Sequence, residues 1–492
     1  MHLESFRTEL KNAVIIPGKN GEEAEIKKLT TDSREQAEKS LFFCIKGEKT
    51  DSHERALEAV KNGAVAVVTE RTLALDVPQL LVEDSRFALG KLSGLFYGYP
   101  ARKMQVIGIT GTNGKTTTSY MLASILESAK KKVGVIGTLG IKYCNVEESS
   151  DLTTPDPVFL QETLSEMEKS GVEYVVMEVS AHALYYKKVV GVDFAACIFT
   201  NCTQDHLDFF DTMQKYKAAK KKLFTDYACP LAIVCGDDET GREIGAERES
   251  KNGERTCYFG LNTPSDAFAV ITEETLFHSA SLFNVNDTLC RISLKLPGRH
   301  NVYNALAAAT CAIELGIDGV AVEKGLSALT KVEGRLERVA SVDGAEIFVD
   351  FAHTPDGLEK SLEFLRRYCK GRLICLFGCG GNRDKEKRPL MGEVAAKKAD
   401  FSVLTSDNPR YEDPLDILSE VEKGYRRYSI RYVIVPERKR GISYALDCLK
   451  RGDILLVAGK GGEKYQEIMG IKYAFQDKDI IEKLLSEKRK NF

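Results

Sequence analysis

The sequence predicts an α/β protein whose last third is a doubly wound parallel sheet, and three observations lead there. At 492 residues the chain is long enough for about three domains of ~150 residues each. Through the last third, apolar runs of strand length alternate with runs of helix length across short links, as in a parallel sheet covered on both faces. The middle third opens with the same unit: an apolar strand, a glycine-containing loop and a helix.

The first third is mixed. A helix-like stretch at His53–Asn62 precedes a short apolar strand at Ala64–Val68, which reads as a smaller mixed α/β domain. Tyr97–Lys103 (YGYPARK) combines Gly, Pro and basic residues ahead of the apolar strand Gln105–Thr110 and marks a seam. A helix is expected over Ser119–Ser128, and strands over Tyr174–Val179 and Ala195–Thr200. After the helical pattern Asn304–Leu315, a second seam falls around Lys331–Leu336 (KVEGRL). The expected domains are therefore 1–100, 101–333 and 334–492. In the last, strands are expected at Ile347–Phe351, Leu373–Phe377, Phe401–Thr405, Tyr432–Val435 and Ile454–Ala458. Helices are expected between them, at Pro355–Arg367, Pro389–Lys398, Pro414–Tyr425 and Gly441–Leu449. Pro355, Pro389 and Pro414 fall near helix starts, where a missing N–H costs little. Ligands of such sheets gather at the C-terminal strand ends.

Composition narrows the function. Lys+Arg number 69 against 72 Asp+Glu, a net charge of -3, which argues against bulk nucleic-acid binding. With 43% hydrophobic and 29% charged residues the chain has the composition of a soluble globular protein rather than a disordered one. No apolar run approaches the ~18 residues of a membrane span. The N-terminal MHLESFRTEL lacks the basic-then-apolar order of a signal peptide. The 13 cysteines are odd in number and scattered in apolar stretches such as those of Cys197, Cys375 and Cys448. That is the pattern of reduced thiols, so a cytoplasmic location is expected. Cys375 and Cys379 are closely spaced, but no second Cys/His pair follows, and no zinc site is expected.

The strongest chemical signal is Gly108–Thr118, GITGTNGKTTT, between a strand and a helix. A loop of this kind points successive N–H groups at phosphate oxygens, and the following helix N-terminus adds positive partial charge. Lys115 can reach the β/γ-phosphates and the Thr116 hydroxyl can ligate Mg2+. The general phosphate-loop spacing places Gly where Ile109 stands, so the match is GKT plus Gly111. Glu178 (MEVSAHAL) and His206 (TNCTQDHLDFF) follow the next two strands, at the edge where a carboxylate and an imidazole could hold a metal on the phosphates. Five lysines crowd the eight residues Lys215–Lys222. Lys215, Lys217, Lys221 and Lys222 read as a solvated helix face. Four further loops follow strands of the last domain: VDFAHTPDGL at Val349–Leu358, GCGGNRDKEKRP at Gly378–Pro389, SDNPR at Ser406–Arg410 and GKGGE at Gly459–Glu463. Arg383, Arg410 and Glu463 bring both charges to one edge, which suits a zwitterionic substrate.

GTNGKTT, MEVSAHAL, QDHLDFF, Ala218–Lys220, GRHNVYN at Gly298–Asn304, GRLE at Gly334–Glu337 and DFAHTPD together resemble the Mur ligases, over essentially the whole chain and in family order. These enzymes build the peptide of bacterial cell-wall (peptidoglycan) precursors. DNPR at Asp407–Arg410 resembles the E-type members, which add meso-diaminopimelate to UDP-N-acetylmuramoyl-L-alanyl-D-glutamate; lysine-adding relatives carry a different tetrapeptide there.

The resemblance implies a UDP-precursor-binding domain at 1–100, a central P-loop ATPase-like parallel sheet at 101–333 that binds ATP, and a Rossmann-like amino-acid-binding ligase domain at 334–492. It implies that Gly111, Thr112, Asn113, Gly114, Lys115, Thr116 and Thr117 hold the phosphates, with Asn304, Arg335 and Asp350 contacting the nucleotide. Glu178, His206, Thr116 and Lys220 would serve Mg2+, and Lys220 would carry a carbamate made from CO2. A plain ammonium would repel the metal, whereas a carbamate is an anionic oxygen ligand suited to a hard cation. Ser33, Thr153, Thr154, Ser180, Tyr186 and Lys188 would contact the UDP-precursor. Arg383, Asp407, Asn408, Arg410, Gly459 and Glu463 would receive diaminopimelate. A monomer is expected, with no nucleic-acid partner. Two departures stand out. Tyr186 and Lys188 replace the usual Gln and Arg, giving a point charge where a fork is usual, and Gly462 replaces the His of GKGHE. Folylpolyglutamate synthetase shares the nucleotide core but lacks a leading domain of this length and DNPR. A catalytically silent relative need not keep Lys115, Glu178, Lys220 and His206, and the lysine-adding branch disagrees with Asp407–Arg410.

Overall fold

In the computed structural model, which describes residues 1–19, 21, 23–48, 50–249 and 254–490, the chain divides into two compact units, each drawn from several stretches of sequence. The first comprises Met1–Gly108, Lys131–Cys197 and Lys222–Leu231; the second comprises Ile109–Lys130, Ile198–Lys221 and Ala232–Phe492. The strands Gln105–Thr110, Ala196–Phe199 and Leu231–Cys235 begin in the first and end in the second.

The first unit holds a five-stranded sheet in the order Val14–Ile16, Gln79–Leu81, Ala64–Thr69, Ser40–Phe43, Lys28–Thr30. Only the Val14–Ile16 edge is antiparallel. Leu41, Phe43, Val68 and Leu80 point to one face, where Leu3, Phe6 and Leu92 complete a core. Phe42 and Val67 point to the other, against Ala56 and Ala59; the alternation is the period of two that a sheet buried on both faces demands. In the same unit Tyr174–Glu178 pairs in parallel with Val133–Gly137, which continues into the antiparallel Gly140–Tyr143 and Val146–Glu148.

In the second unit, Ala267–Glu274, Ser279–Val285 and Thr288–Leu294 form an antiparallel meander. The helices Lys115–Ser128, Arg299–Glu314 and Gly319–Ala328 pack together. A six-stranded sheet runs in the order Glu337–Val342, Ala345–Asp350, Ile454–Ala458, Leu373–Phe377, Phe401–Leu404, Tyr432–Ile434. It is parallel except for Glu337–Val342. Helices Pro355–Tyr368, Lys387–Lys398 and Pro414–Tyr425 cover one face, and Arg438–Asp447 and Asp477–Lys490 the other. This is the doubly wound sheet expected from the alternation of the last third. Boundaries differ where a helix starts before its punctuating residue. Pro389 is the third helical residue of Lys387–Lys398, still inside the first turn, whose N–H groups have no intrahelical partner. The helix expected from Gly441 begins at Arg438, and the one expected from Asn304 begins at Arg299. The meander and the hairpin Tyr465–Ile468/Ile471–Ala474 were not expected.

All 13 cysteines are free, and burial pushes the Cys379 thiol up to about 12. Among the described residues no helix is long and apolar enough to cross a membrane.

One charged pair sits inside the second sheet's helical cover. Arg438 donates through Nη2 and Nε to Asp477 at 2.6 and 2.7 Å, and both side chains have 0% exposure. The guanidinium also reaches the strand-end carbonyls of Ala458 at 2.9 Å and Ser406 at 3.3 Å. Removing one partner strands the other charge without water. Asp477→Ala should therefore lower stability in urea unfolding by about 3–5 kcal/mol, with Arg438→Met/Asp477→Leu losing clearly less than Asp477→Ala alone.

Candidate active site

In the second unit, the strand ending at Thr110 passes through Gly111–Gly114 into the helix Lys115–Ser128. Gly114 has φ +90°, and a Cβ there would lie 2.3 Å from Oδ1 of Asn304; only glycine fits. The loop is fastened to the next strand's end. Thr112 N donates to Asn201 O at 2.9 Å and Asn113 N to Asn201 Oδ1 at 3.0 Å. Asn113 O accepts from Thr200 Oγ1 at 2.7 Å and Asn201 Nδ2 at 3.0 Å. The Lys115 ammonium curls over the loop, donating to Gly111 O at 2.8 Å and Thr112 O at 3.0 Å. Arg335 donates to Thr116 Oγ1 at 2.7 Å and lies 4.3 Å over the Phe351 ring. Asn113 Nδ2 donates to Asp356 at 2.9 Å. A cavity of about 480 Å³ opens beside the loop, with Gly114, Thr117, Asn304, Arg335, Asp350 and Phe351 in its wall; small-molecule sites fall in this size range. The Asp350 carboxylate accepts from Leu336 N at 3.1 Å and Ser361 Oγ at 2.5 Å, so the protein itself holds it in place.

Lys220 lies on the helix Met213–Thr225 at 1% exposure, its Nζ 4.2 Å from the centre of the Tyr216 ring. Burial, with the charge of Lys115 adding to it, pushes this ammonium down to about 7. The neighbouring lysines behave otherwise. Lys221 pairs with Glu243 and Glu247 at 2.7 Å each, and Lys217 pairs with Glu239 at 2.6 Å. The face expected to be simply solvated is an ion-paired seam to the helix Glu239–Glu249.

His206 has φ +57° and leans on Asp205, its Nε2 3.3 Å from Oδ2. Asp205 also pairs with Lys387 at 3.0 Å, both side chains buried, and lies 3.7 Å from Nε2 of His353. Burial alone would raise the Asp205 carboxyl, but Lys387 and the two imidazoles hold it well below the usual range. Asp205 and Lys387 were not singled out in the sequence. Their one signal was position, each in a polar loop after an apolar strand.

The remaining strand ends of the second unit gather the other candidates. Asp407 is buried; Lys460 and Arg438 oppose the effect of burial and keep its carboxyl below the usual range. Asn408 donates to Glu463 at 2.9 Å and accepts from Lys460 Nζ and Glu467 N, each at 3.0 Å. Lys460 also pairs with Glu463 at 2.9 Å. Arg410, at φ +52°, donates to Glu467 at 3.0 Å and Gly381 O at 2.8 Å. Arg383 is exposed beside it: a Cβ on Gly380 would lie 2.9 Å from Arg410 Nη1 and 3.6 Å from Arg383 Cγ. Gly459 N donates to Asp350 O at 3.0 Å, linking this edge to the cavity wall.

In the first unit, Glu178 ends its strand at 1% exposure. Its carboxylate accepts from Thr138 N at 2.9 Å and Thr138 Oγ1 at 3.1 Å. Thr153 meets Thr138 at 3.1 Å, and Thr154 Oγ1 donates to Glu178 O at 2.9 Å and accepts from Ser180 N at 3.0 Å. These four candidates are brought together. Tyr186 and Lys188 are not part of that cluster: Tyr186 donates to Glu48 at 2.5 Å, and Lys188 pairs with Asp156 at 2.7 Å. Ser33 lies beside the first sheet and donates to Glu58 at 2.6 Å.

A phosphate loop beside a cavity, a buried lysine of lowered basicity and a strand-end edge bearing two arginines and a glutamate define a nucleotide-using ligase. Residues 109–312 match the Mur ligase middle domain and residues 334–461 the Mur ligase, glutamate ligase domain. Over 461 residues the chain is 43% identical to the UDP-N-acetylmuramoyl-L-alanyl-D-glutamate--2,6-diaminopimelate ligase of Caldanaerobacter subterraneus, covering 93% of this chain and 94% of that one. The enzyme of the same name from Geobacillus thermodenitrificans is 39% identical, over 99% of this chain and 100% of that one. A solved structure of a UDP-N-acetylmuramoyl-L-alanyl-D-glutamate--2,6-diaminopimelate ligase superposes with TM-score 0.66 at 28% identity, covering 94% of this chain and 95% of that one. The folylpolyglutamate synthase of Mycobacterium tuberculosis (TM-score 0.64, 17% identity) covers 76% of this chain and 92% of its own, and shares the fold. The chain belongs to the Mur ligase family.

Lys115 is the loop's own cation, donating to two carbonyls of that loop. Lys115→Ala should lower the rate of ATP-dependent phosphate release by ~10²-fold or more, while thermal unfolding shifts by no more than one hydrogen bond's worth, about 1 kcal/mol. A variant keeping over half of the activity would exclude this role.

Proposed function

We propose that the chain joins meso-diaminopimelate to the D-glutamyl side-chain carboxylate of UDP-N-acetylmuramoyl-L-alanyl-D-glutamate, using ATP, in the cytoplasm. The observation that carries this reading is the pairing, in one unit, of the phosphate loop with an edge holding Arg383, Arg410 and Glu463. That edge has the charges for an amino acid with a carboxylate at its far end. The names of the relatives support the particular substrates.

A carboxylate is a poor electrophile, so the γ-phosphoryl group is first moved to it, giving an acyl phosphate that the amine attacks. Lys115 and the amides of Gly114–Thr117, at the start of the helix, neutralise charge on the phosphoryl oxygens, whereas the amides of Thr112 and Asn113 are spent on Asn201 and shape the loop. Asn304, Arg335 and Asp350 place the nucleotide in the cavity. Ser33, Thr153, Thr154 and Ser180 hold the UDP-precursor, with Tyr186 and Lys188 near its D-glutamyl end. We assign these tasks to domains 1–100, 101–333 and 334–492, in a monomer.

A lysine titrating near 7 holds a substantial neutral fraction at physiological pH, and only the neutral amine adds CO2. This supports a carbamate on Lys220. Among the described residues no group of three His, Cys, Asp or Glu could hold a metal alone. Mg2+ leans on substrate phosphates and keeps few protein ligands of its own. Thr116, Glu178, His206 and the Lys220 carbamate would hold it, an oxygen-rich set with one nitrogen. When bound, Mg2+ would screen the phosphate charges.

Two outcomes test this. With 13C-bicarbonate, wild type should show a carbamate carbon signal that fades as pH falls below about 7 and is absent from Lys220→Met. Lys220→Met should lose ligation but keep ADP binding, whereas Lys221→Ala, losing surface ion pairs worth ~1 kcal/mol or less, should stay active. Second, kcat/KM should favour meso-diaminopimelate over L-lysine by ~10³-fold, because lysine has no far-end carboxylate to take the remaining donors of Arg410. Arg410→Lys should collapse that ratio. Equal use of both amino acids by wild type would defeat the proposal.

A further inference from the structure

The residue following Pro409 has an unusual backbone, and the hairpin Tyr465–Ile468/Ile471–Ala474 is what imposes it. Arg410 sits in the left-handed region at φ +52°, which non-glycine residues rarely adopt. Its backbone is clamped from both sides: Arg410 N donates to Glu467 O at 3.0 Å, and Met469 N donates to Arg410 O at 2.7 Å. Two neighbours are strapped to the same hairpin. Glu467 N donates to Asn408 Oδ1 at 3.0 Å, and Gln466 Nε2 donates to Asp407 O at 2.7 Å. Glu467 thus grips this loop through its N–H, its carbonyl and its carboxylate, the last on Nε of Arg410 at 3.0 Å.

The guanidinium is left with a defined free side. Nε is taken by Glu467 and one hydrogen of Nη1 by Gly381 O at 2.8 Å. Among the described residues Nη2 donates to nothing. Nη2 and the second hydrogen of Nη1 therefore remain for a carboxylate, and two donors on one guanidinium are what arginine uses to make paired bonds. Without Glu467 only the Nη1 bond to Gly381 O would hold the guanidinium, and it could turn about that contact.

We propose that Glu467 is a positioning residue that sets acceptor specificity by fixing which edge of Arg410 faces the incoming amino acid. It does not touch the substrate; it orders the group that does. This rests on the diaminopimelate reading given above, and the test separates the two. The carboxylate at the far end of the acceptor gains from a pre-oriented fork, whereas L-lysine has nothing there to gain. Glu467 acts on one substrate and on discrimination, not on the nucleotide.

The test uses full-length enzyme, saturating ATP and UDP-precursor, and phosphate release with varied meso-diaminopimelate or L-lysine. Glu467→Ala should raise KM for diaminopimelate by ~10-fold with kcat within about twofold, leaving KM for ATP and kcat/KM for lysine unchanged, the pattern of lost ground-state binding. Glu467→Gln, whose amide oxygen can still accept from Nε, should recover most of the loss. Glu467→Lys, which fills the space but repels the guanidinium, should lose at least as much as Glu467→Ala. Glu467 is partly exposed, its side chain at 22%, and ADP binding reports that each variant is folded. Combined with Arg410→Lys, Glu467→Ala should add almost nothing. An unchanged or lowered KM for diaminopimelate in Glu467→Ala would overturn the proposal, since the carboxylate would then only be competing for Arg410. So would equal losses for diaminopimelate, lysine and ATP. If Arg410→Lys leaves the diaminopimelate-to-lysine ratio intact, the acceptor reading itself fails.

Discussion

The Asp205 carboxylate is almost wholly out of water, at 3% residue exposure, yet it carries a charge, and the second unit is arranged around that fact. An isolated buried carboxylate costs several kcal/mol, so a cation must stand beside it. Lys387 does so at 3.0 Å, from the first turn of the helix Lys387–Lys398. Asp205 also accepts from the backbone N of His206 at 3.0 Å, which helps hold that residue in its left-handed turn. The pair thus fixes the strand-end turn carrying His206 against the helix that follows Gly378–Glu386. Neither group can leave alone without stranding the other. Their separation of 182 positions makes this one of the long-range contacts on which the unit's shape depends.

The same strand end serves the phosphate loop. Thr200, Asn201 and Thr203 supply the groups that fix Thr112 and Asn113, including Thr112 Oγ1 to Thr203 O at 3.1 Å. Residues 200–206 are therefore shared. Their first half shapes the backbone of Thr112 and Asn113, and their second half holds His206. Lys220 reaches this neighbourhood from a separate helix, and its lowered basicity follows from that placement: it is buried near Lys115 with no salt bridge among the described residues. An ammonium there is unfavourable, and uptake of CO2 would relieve it by turning a cation into an anion.

Much of this was legible in sequence because it is local. Gln105–Thr110, Leu373–Phe377, Pro414–Tyr425 and Ile454–Ala458 have the bounds their apolar periodicity predicts, since burial on both sheet faces leaves a continuous apolar run. The strand-end loops followed directly. Three kinds of feature were not legible. Ala267–Glu274 alternates, but it is interrupted by a register shift at Ile271/Glu273, and the alternation passes for an ordinary surface pattern. The hairpin Tyr465–Ile468/Ile471–Ala474 is exposed throughout its second strand, so burial writes no period into it. Lys387 and Glu467 resemble any surface charge until the fold brings Asp205 and Arg410 to them. Lys221 shows the converse: it looked solvated, and only the helix Glu239–Glu249 reveals its partners.

A site for a zwitterion must hold a cation and an anion near each other without letting them neutralise one another. Arg410 and Glu463 meet that constraint because each already has its own partner, Glu467 for Arg410 and the buried Lys460 for Glu463. Asn408 stands between the two pairs, donating to Glu463 and accepting from Lys460 Nζ and Glu467 N. Expected among the residues that receive diaminopimelate, it makes these three bonds within the protein and so spaces the charges. An aspartate in its place would add a charge to a cluster already containing Asp407, and a leucine would leave Lys460 short of an acceptor. The amide is the neutral group that satisfies both sides at once. Arg410 then accepts a left-handed backbone, at a cost of about 1–2 kcal/mol, because the hairpin's backbone bonds determine its position more strongly than its own preference does. The edge is therefore set before any ligand arrives, and binding need not supply the ordering of these side chains.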